Sequence, residues 1–166
     1  MERNQALKKK PSMIPRGSSL IVDDESGPRE SLRMIFQSFY EVFTAENGQE
    51  AIHCLSQNKV DLVTLDLNMP GRSGLDVLRE IKNLYPEVEV IIVTAHGSLS
   101  KAQEAVNLGA GDFIFKPYSV VDIITTVSNS FARRRNNQKI KKLIHQFKNP
   151  RSPLEEGHEN SPKGVK

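Results

Sequence analysis

The sequence predicts an α/β fold, a doubly wound, five-stranded parallel sheet with five helices, and three observations predict it. Short apolar runs alternate with stretches of helical periodicity five times along the chain. The connections are short, and parallel strands need the length that an intervening helix supplies. Polar groups also stand just past the ends of the apolar runs, at Asp23-Asp24, Asp66, Thr94 and Lys116. In an open parallel sheet, chain leaving the carboxyl ends of neighbouring strands converges on one crevice, so these residues would share a pocket.

In chain order, residues 18–22 read as a buried strand. Ser26, Gly27 and Pro28 then open a helix through residue 39, with Leu32, Ile35, Phe36 and Phe39 on one face. Residues 41–45 form a second strand, 48–57 a helix and 61–65 a third strand. Residues 74–84 carry Leu75, Leu78 and Ile81 at helical spacing, and Pro86 stops that helix. Residues 88–93 are the fourth strand, 98–108 a helix and 112–115 the fifth strand, and Ser119 begins the last helix.

A chain of 166 residues can bury a core without staples and reads as one domain with tails. Its single cysteine, Cys54, excludes a disulfide framework. It packs as a small hydrophobe in Ala51-Ile52-His53-Cys54-Leu55, which suits a reducing cytoplasm. The basic first residues lead into no apolar signal segment, and no run approaches the roughly 18 apolar residues of a membrane span. A soluble, cytoplasmic protein is expected. The net charge of +3 is unevenly spread: residues 1–17 hold five Lys/Arg and one Glu, residues 133–166 hold ten Lys/Arg and three Glu, and between them eight Lys/Arg face sixteen Asp/Glu. The basic pI belongs to the ends and is no argument that the folded domain binds nucleic acid.

Four segments follow. Residues 1–17 read as a basic, disordered start and residues 18–132 as the domain. In residues 133–148, Ile140, Leu143, Ile144 and Phe147 recur at i, i+3, i+4 and i+7 amid lysines, a basic amphipathic helical extension. It either packs on its own domain or meets a second copy, a partner groove, an acidic membrane surface or RNA. Residues 149–166, rich in Pro, Ser, Glu, Lys and Gly, read as a disordered tail.

Taken singly, the strand-end residues have ordinary readings: Asp23 and Asp24 as a helix-capping turn, Asp66 as a loop residue ahead of Asn68, Pro70, Gly71 and Gly74, Thr94 as a β-branched strand residue, Lys116 as a solvated side chain. Taken together they have a chemistry. Three carboxylates within about 4 Å repel by roughly 4 kcal/mol per pair at an effective dielectric near 20, so the cluster invites a cation. Magnesium, with its preference for hard oxygen ligands, is the natural one.

Asp66-Leu67-Asn68-Met69-Pro70 with the later Gly74, the acidic pair, Thr94-Ala95 and Lys116-Pro117 together resemble the receiver domain of bacterial two-component response regulators, over residues 18–132. The resemblance implies a flavodoxin-like strand order 2-1-3-4-5, which makes strands one and three neighbours at the switch point. It also implies that Asp66 accepts a phosphoryl group from a phosphohistidine on a sensor histidine kinase or histidine phosphotransfer protein. Mg2+ (or Mn2+) would be held directly by Asp24, Asp66 and the Asn68 backbone carbonyl, and by Asp23 largely through water. Thr94 would donate to the phosphoryl group, and Lys116, followed by a cis proline, would set a point charge on it. Phe113 would follow Thr94 inward as a switch. His96 lies where family members tune the lifetime of the phosphate.

Signalling would then run by conformational change and protein contact through the face of the fourth helix, fifth strand and fifth helix. Homodimerisation stays open and no sequence-specific DNA binding is expected. Catalysis would be limited to self-catalysed phosphotransfer and autodephosphorylation. A hydrolase using Asp66 is the competing class, but haloacid-type phosphatases carry an Asp two residues after the nucleophile, where Asn68 stands here. Two alternatives are a phosphorylation-independent interaction module, which would be expected to lack part of the acidic pair, Asp66 or Lys116, all of which are present, and the N-terminal part of a regulator whose output domain is missing.

Overall fold

A computed structural model of the chain describes residues 17–95 and 97–148. The readings for residues 1–16, His96 and residues 149–166 fall outside the described residues. The elements alternate strictly: β1 (Ser18–Val22), α1 (Ser26–Phe36), β2 (Glu41–Ala45), α2 (Gly48–Gln57), β3 (Leu62–Leu65), α3 (Gly74–Leu84), β4 (Glu89–Thr94), α4 (Leu99–Asn107), β5 (Asp112–Phe115) and α5 (Val120–Lys148). All strand pairs are parallel, in the order β2-β1-β3-β4-β5. This is the doubly wound sheet and strand order expected. Among the described residues no helix is long and apolar enough to cross a membrane.

The central strands β1, β3 and β4 are buried at nearly every position because both faces are covered. Leu20, Val22, Val63, Leu65, Val90 and Ile92 pack with Ala51, Leu55, Val77, Leu78, Ile81 and Ala105 from α2, α3 and α4. The alternate residues Ile21, Leu62, Ile91 and Val93 pack with Leu32 and Phe36 of α1 and with Ile123, Val127 and Phe131 of α5. Period-two alternation thus divides one sheet between two cores.

Several boundaries differ from the sequence reading. α4 spans Leu99–Asn107 instead of 98–108 and α5 begins at Val120 instead of Ser119, because Ser98 and Ser119 cap these helices, their hydroxyls accepting the Lys101 and Asp122 amides. α1 ends at Phe36 instead of residue 39, because the backbone amides of Phe39 and Tyr40 both donate to the Phe36 carbonyl in a tight turn that returns the chain to β2. Phe39 is left partly exposed, and Tyr40 takes the packing role, stacked on Phe131 with ring centroids 4.4 Å apart. Asp61 precedes β3, its carboxylate accepting the Ser18 backbone amide at 3.0 Å. β4 begins at Glu89 and includes Thr94, since the Val88 amide is bonded to Tyr85 in a turn.

α5 runs through Arg133, Arg134 and Arg135 to Lys148. The chain divides into two units between Arg134 and Arg135. In the first, Arg133 pairs with Asp112 at 2.7 Å and Arg134 with Asp61 at 2.6 Å. In the second, Ile140, Leu143, Ile144 and Phe147 are all exposed.

Candidate functional site

The sheet's ladder continues past the strand ends and fixes the backbone of the next residues. Asp23 N donates to Ala45 O at 3.2 Å, Asp66 N to Val22 O at 3.0 Å and Lys116 N to Thr94 O at 2.9 Å. Parallel pairing in register therefore turns three separate strand ends into one edge. Asp23, Asp66 and Thr94 are buried there and Asp24 is half-buried.

The side chains meet as a bridged cluster. Carboxylate oxygens of Asp23, Asp24 and Asp66 lie within 4.8 Å of one another. Lys116 Nζ reaches Asp23 Oδ2 at 2.7 Å and Asp66 Oδ2 at 2.9 Å. The other Asp66 oxygen, Oδ1, accepts the Asn68 backbone amide at 3.0 Å, and Asn68 Nδ2 donates to Thr94 Oγ1 at 3.2 Å. Asp23 Oδ1 accepts the Glu25 amide at 2.9 Å. Burial pushes the Asp66 carboxyl upward, but hydrogen bonds from Asn68, Lys116 and Thr94 and the lysine charge outweigh it and hold it below its usual range. Burial likewise pulls the Lys116 ammonium down, yet its bonds and attraction to Asp23 and Asp66 win and raise it. Burial also raises the Tyr118 hydroxyl in the loop after Lys116.

One ammonium against three carboxylates leaves the cluster anionic. Closely spaced hard oxygens with a residual negative charge fit Mg2+ or Mn2+ better than a soft metal.

Gly74 sets the β3–α3 loop against α3: a Cβ there would lie 2.5 Å from Leu67 Cα and 2.6 Å from Asp66 O. No side chain fits without moving the segment that carries Asp66. Lys116-Pro117 is cis, as expected. Phe113 is half-buried, its ring centroid 4.8 Å from that of Phe115. A Cβ on Gly97 would meet Phe115 Cε1 at 2.7 Å and Phe113 Cζ at 2.9 Å, so the β4–α4 loop lies directly on this aromatic pair.

Sequence reasoning missed two residues. Phe115, paired with Thr94 across β4 and β5, shares with Phe113 the contact beneath the loop. Arg29 is buried, and its Nη1 donates to the Asp23 carbonyl at 2.7 Å and the Asp24 carbonyl at 3.3 Å while Nη2 pairs with Glu46 at 2.5 Å. Its place one turn into α1, five residues past the acidic pair, was the signal that could have found it.

This sheet edge, with its lysine-bridged acids, defines the chain as a signalling receiver module: residues 19–128 match the model for the response regulator receiver domain, and the chain belongs to that family. Among its relatives is the sporulation initiation phosphotransferase F of Bacillus subtilis (strain 168), 36% identical over 118 residues, a match covering 70% of this chain and 95% of the relative. The DNA-binding transcriptional regulator NtrC of Escherichia coli (strain K12) is 34% identical over 126 residues, 75% of this chain but only 27% of the regulator. Among solved structures, a CheY-like receiver domain protein from Methanospirillum hungatei JF-1 superposes with a TM-score of 0.71 at 25% identity, covering 73% of this chain and 98% of that one.

Proposed function

We propose that this chain is a phosphoacceptor receiver whose nucleophile is Asp66, with a phosphohistidine of a sensor histidine kinase or histidine phosphotransfer protein as donor. The observation that carries this reading is the Asp66 carboxylate itself: buried, ionised, bridged by Lys116, linked through Asn68 to Thr94 and facing Asp23 and Asp24. An Asp66 oxygen attacks phosphorus, the phosphorus–nitrogen bond of the donor breaks, and its electron pair stays on the imidazole nitrogen, which takes up a proton. The product is an aspartyl phosphate and a neutral imidazole.

Lys116 Nζ moves its hydrogen bonds from the carboxylates to phosphoryl oxygens, and Thr94 Oγ1 exchanges Asn68 for the new group. Asp23, Asp24, Asp66 and the Asn68 backbone carbonyl are the groups that would hold Mg2+ or Mn2+. When bound, the cation supplies positive charge against the phosphoryl oxygens. Loss of the Thr94 contact frees the β4–α4 loop to repack on Phe113 and Phe115, which is how the charge added at Asp66 reaches the far end of the sheet.

A cytoplasmic protein that signals through protein contact, with homodimerisation as one form of output and no sequence-specific DNA binding, belongs to the same reading. The test is incubation with acetyl phosphate and magnesium, read by intact mass. The wild-type chain gains one phosphoryl group, Asp66→Asn gains none and chelator blocks the gain; an equal shift in Asp66→Asn overturns the assignment.

A further inference from the structure

α5 carries two apolar stripes with different fates. Ile123, Val127 and Phe131 are buried in the receiver core. Ile140, Leu143, Ile144 and Phe147 are 53%, 52%, 48% and 83% exposed. The second stripe does not continue the first. Seven and eleven residues beyond Phe131, where the first stripe would recur, stand Gln138 and Lys142. Residues 133–148 hold seven Lys/Arg and no Asp or Glu, whereas residues 18–132 hold eight Lys/Arg against sixteen Asp/Glu.

We propose that residues 135–148 form an interfacial anchor for an anionic lipid surface, with the apolar stripe entering the headgroup–acyl boundary and Arg135, Lys139, Lys142 and Lys148 meeting lipid phosphates. The pattern is that of a helix lying in a membrane interface: Leu, Ile and Phe on one face, lysine on the other, low net hydrophobicity. A second copy of the helix is a poorer occupant. A coiled coil needs an apolar seam over three to four heptads. This stripe covers little more than one, and the same face upstream holds Arg133, Asn136 and Asn137. Nucleic acid would satisfy the lysines and leave the stripe in water. A protein groove must match the side chains one by one. A lipid surface asks only for apolar area beside positive charge.

The charge division gives the attachment its character. The acidic residues 18–132 are repelled by an anionic surface, so the attraction comes from the basic segment. Residues 1–17 hold five Lys/Arg against one Glu and add to the electrostatic attraction.

Flotation of the full chain with vesicles of equal parts phosphatidylglycerol and phosphatidylcholine, and with phosphatidylcholine alone, tests this. The anionic vesicles bind at least about tenfold tighter, and salt near 0.5 M releases the protein. The double variant Leu143→Asp/Phe147→Asp and the double variant Lys139→Gln/Lys142→Gln each weaken binding by about tenfold or more, with circular dichroism of the free protein confirming that both are folded. Asp66→Asn binds as wild type does, so the anchor stands or falls independently of the phosphoacceptor. No binding to the anionic vesicles, or equal binding to neutral ones, overturns the proposal. So does a concentration-dependent dimer that the Leu143/Phe147 variant abolishes without any vesicle binding, which would assign the stripe to a second copy. An oligonucleotide affinity that exceeds the vesicle affinity and survives the Leu143/Phe147 change would assign the lysines to nucleic acid.

Discussion

Lys116 reaches two carboxylates at once and thereby holds the acidic edge together before any ligand arrives. Its side chain is only 14% exposed and those of Asp23 and Asp66 about 4% and 5%, so the attraction acts in a poorly screened site. Lys116→Met should leave buried carboxylates without a counter-charge and destabilise the chelated protein by about 3 kcal/mol at neutral pH. The pH dependence follows from the directions of the two shifts. Lys116 titrates above the ordinary 10.5 in the folded state, so its contribution is complete below that value and is lost as pH rises through the higher folded value. Asp66 titrates below the ordinary 3.8, so its contribution is complete above that value and is lost as pH falls through the lower one. Urea unfolding of wild type and Lys116→Met should differ by a constant amount near neutrality and converge in alkali. A difference that persists unchanged in strong alkali would show that Lys116 stabilises the fold through packing of its stem and not through its charge. Arg29 acts one layer behind. Its guanidinium ties the Asp23 and Asp24 carbonyls to Glu46, so Arg29→Ala should cost about 2 kcal/mol and weaken Mn2+ binding measured by spin resonance of the free ion. Unaltered Mn2+ affinity would confine Arg29 to a structural role.

At the scale of the element, β3 is the strand that matters most, since it carries Asp66 out of the centre of the sheet. All four of its residues are buried, and Thr64 Oγ1 has no hydrogen-bond partner among the described residues. Thr64→Val keeps the shape and removes the unmet hydroxyl, and should raise stability by about 1 kcal/mol without changing phosphorylation. A loss of stability in denaturant unfolding would mean that the hydroxyl is satisfied after all. The elements themselves were legible in the sequence because the three central strands are buried on both faces and the helices on one, so period and run length differed plainly. Phe39 misled because a helical apolar pattern does not see the backbone turn at Phe36 that ends α1. Thr94 and Lys116 were legible by position, at strand ends. Arg29 was not, because two of its three partners are backbone carbonyls and the third, Glu46, is seventeen residues away. Strand order came from the family resemblance, since periodicity says which residues are strand and nothing of which strands are neighbours.

At the scale of the whole molecule, one helix belongs to two regimes of stability. The first half of α5 is fastened by Ile123, Val127 and Phe131 in the core and by the Arg133–Asp112 and Arg134–Asp61 pairs. The second half, residues 135–148, forms a separate unit whose apolar residues are all exposed. α5 is already nucleated by its packed first half, so residues 135–148 only propagate it, and each added residue gains little without packing. Local opening should therefore be frequent beyond Arg135 and rare before it. In hydrogen exchange followed by mass spectrometry, peptides covering 123–131 should stay protected nearly as long as the central strands, while peptides covering 137–148 should exchange at least about a hundredfold faster. Adding the anionic vesicles should slow exchange in the second group and leave the first unchanged. Equal protection of both groups in the absence of lipid would mean that residues 135–148 are already covered by another part of the protein, and the exposed stripe would then have its partner within the chain or in a second copy of it.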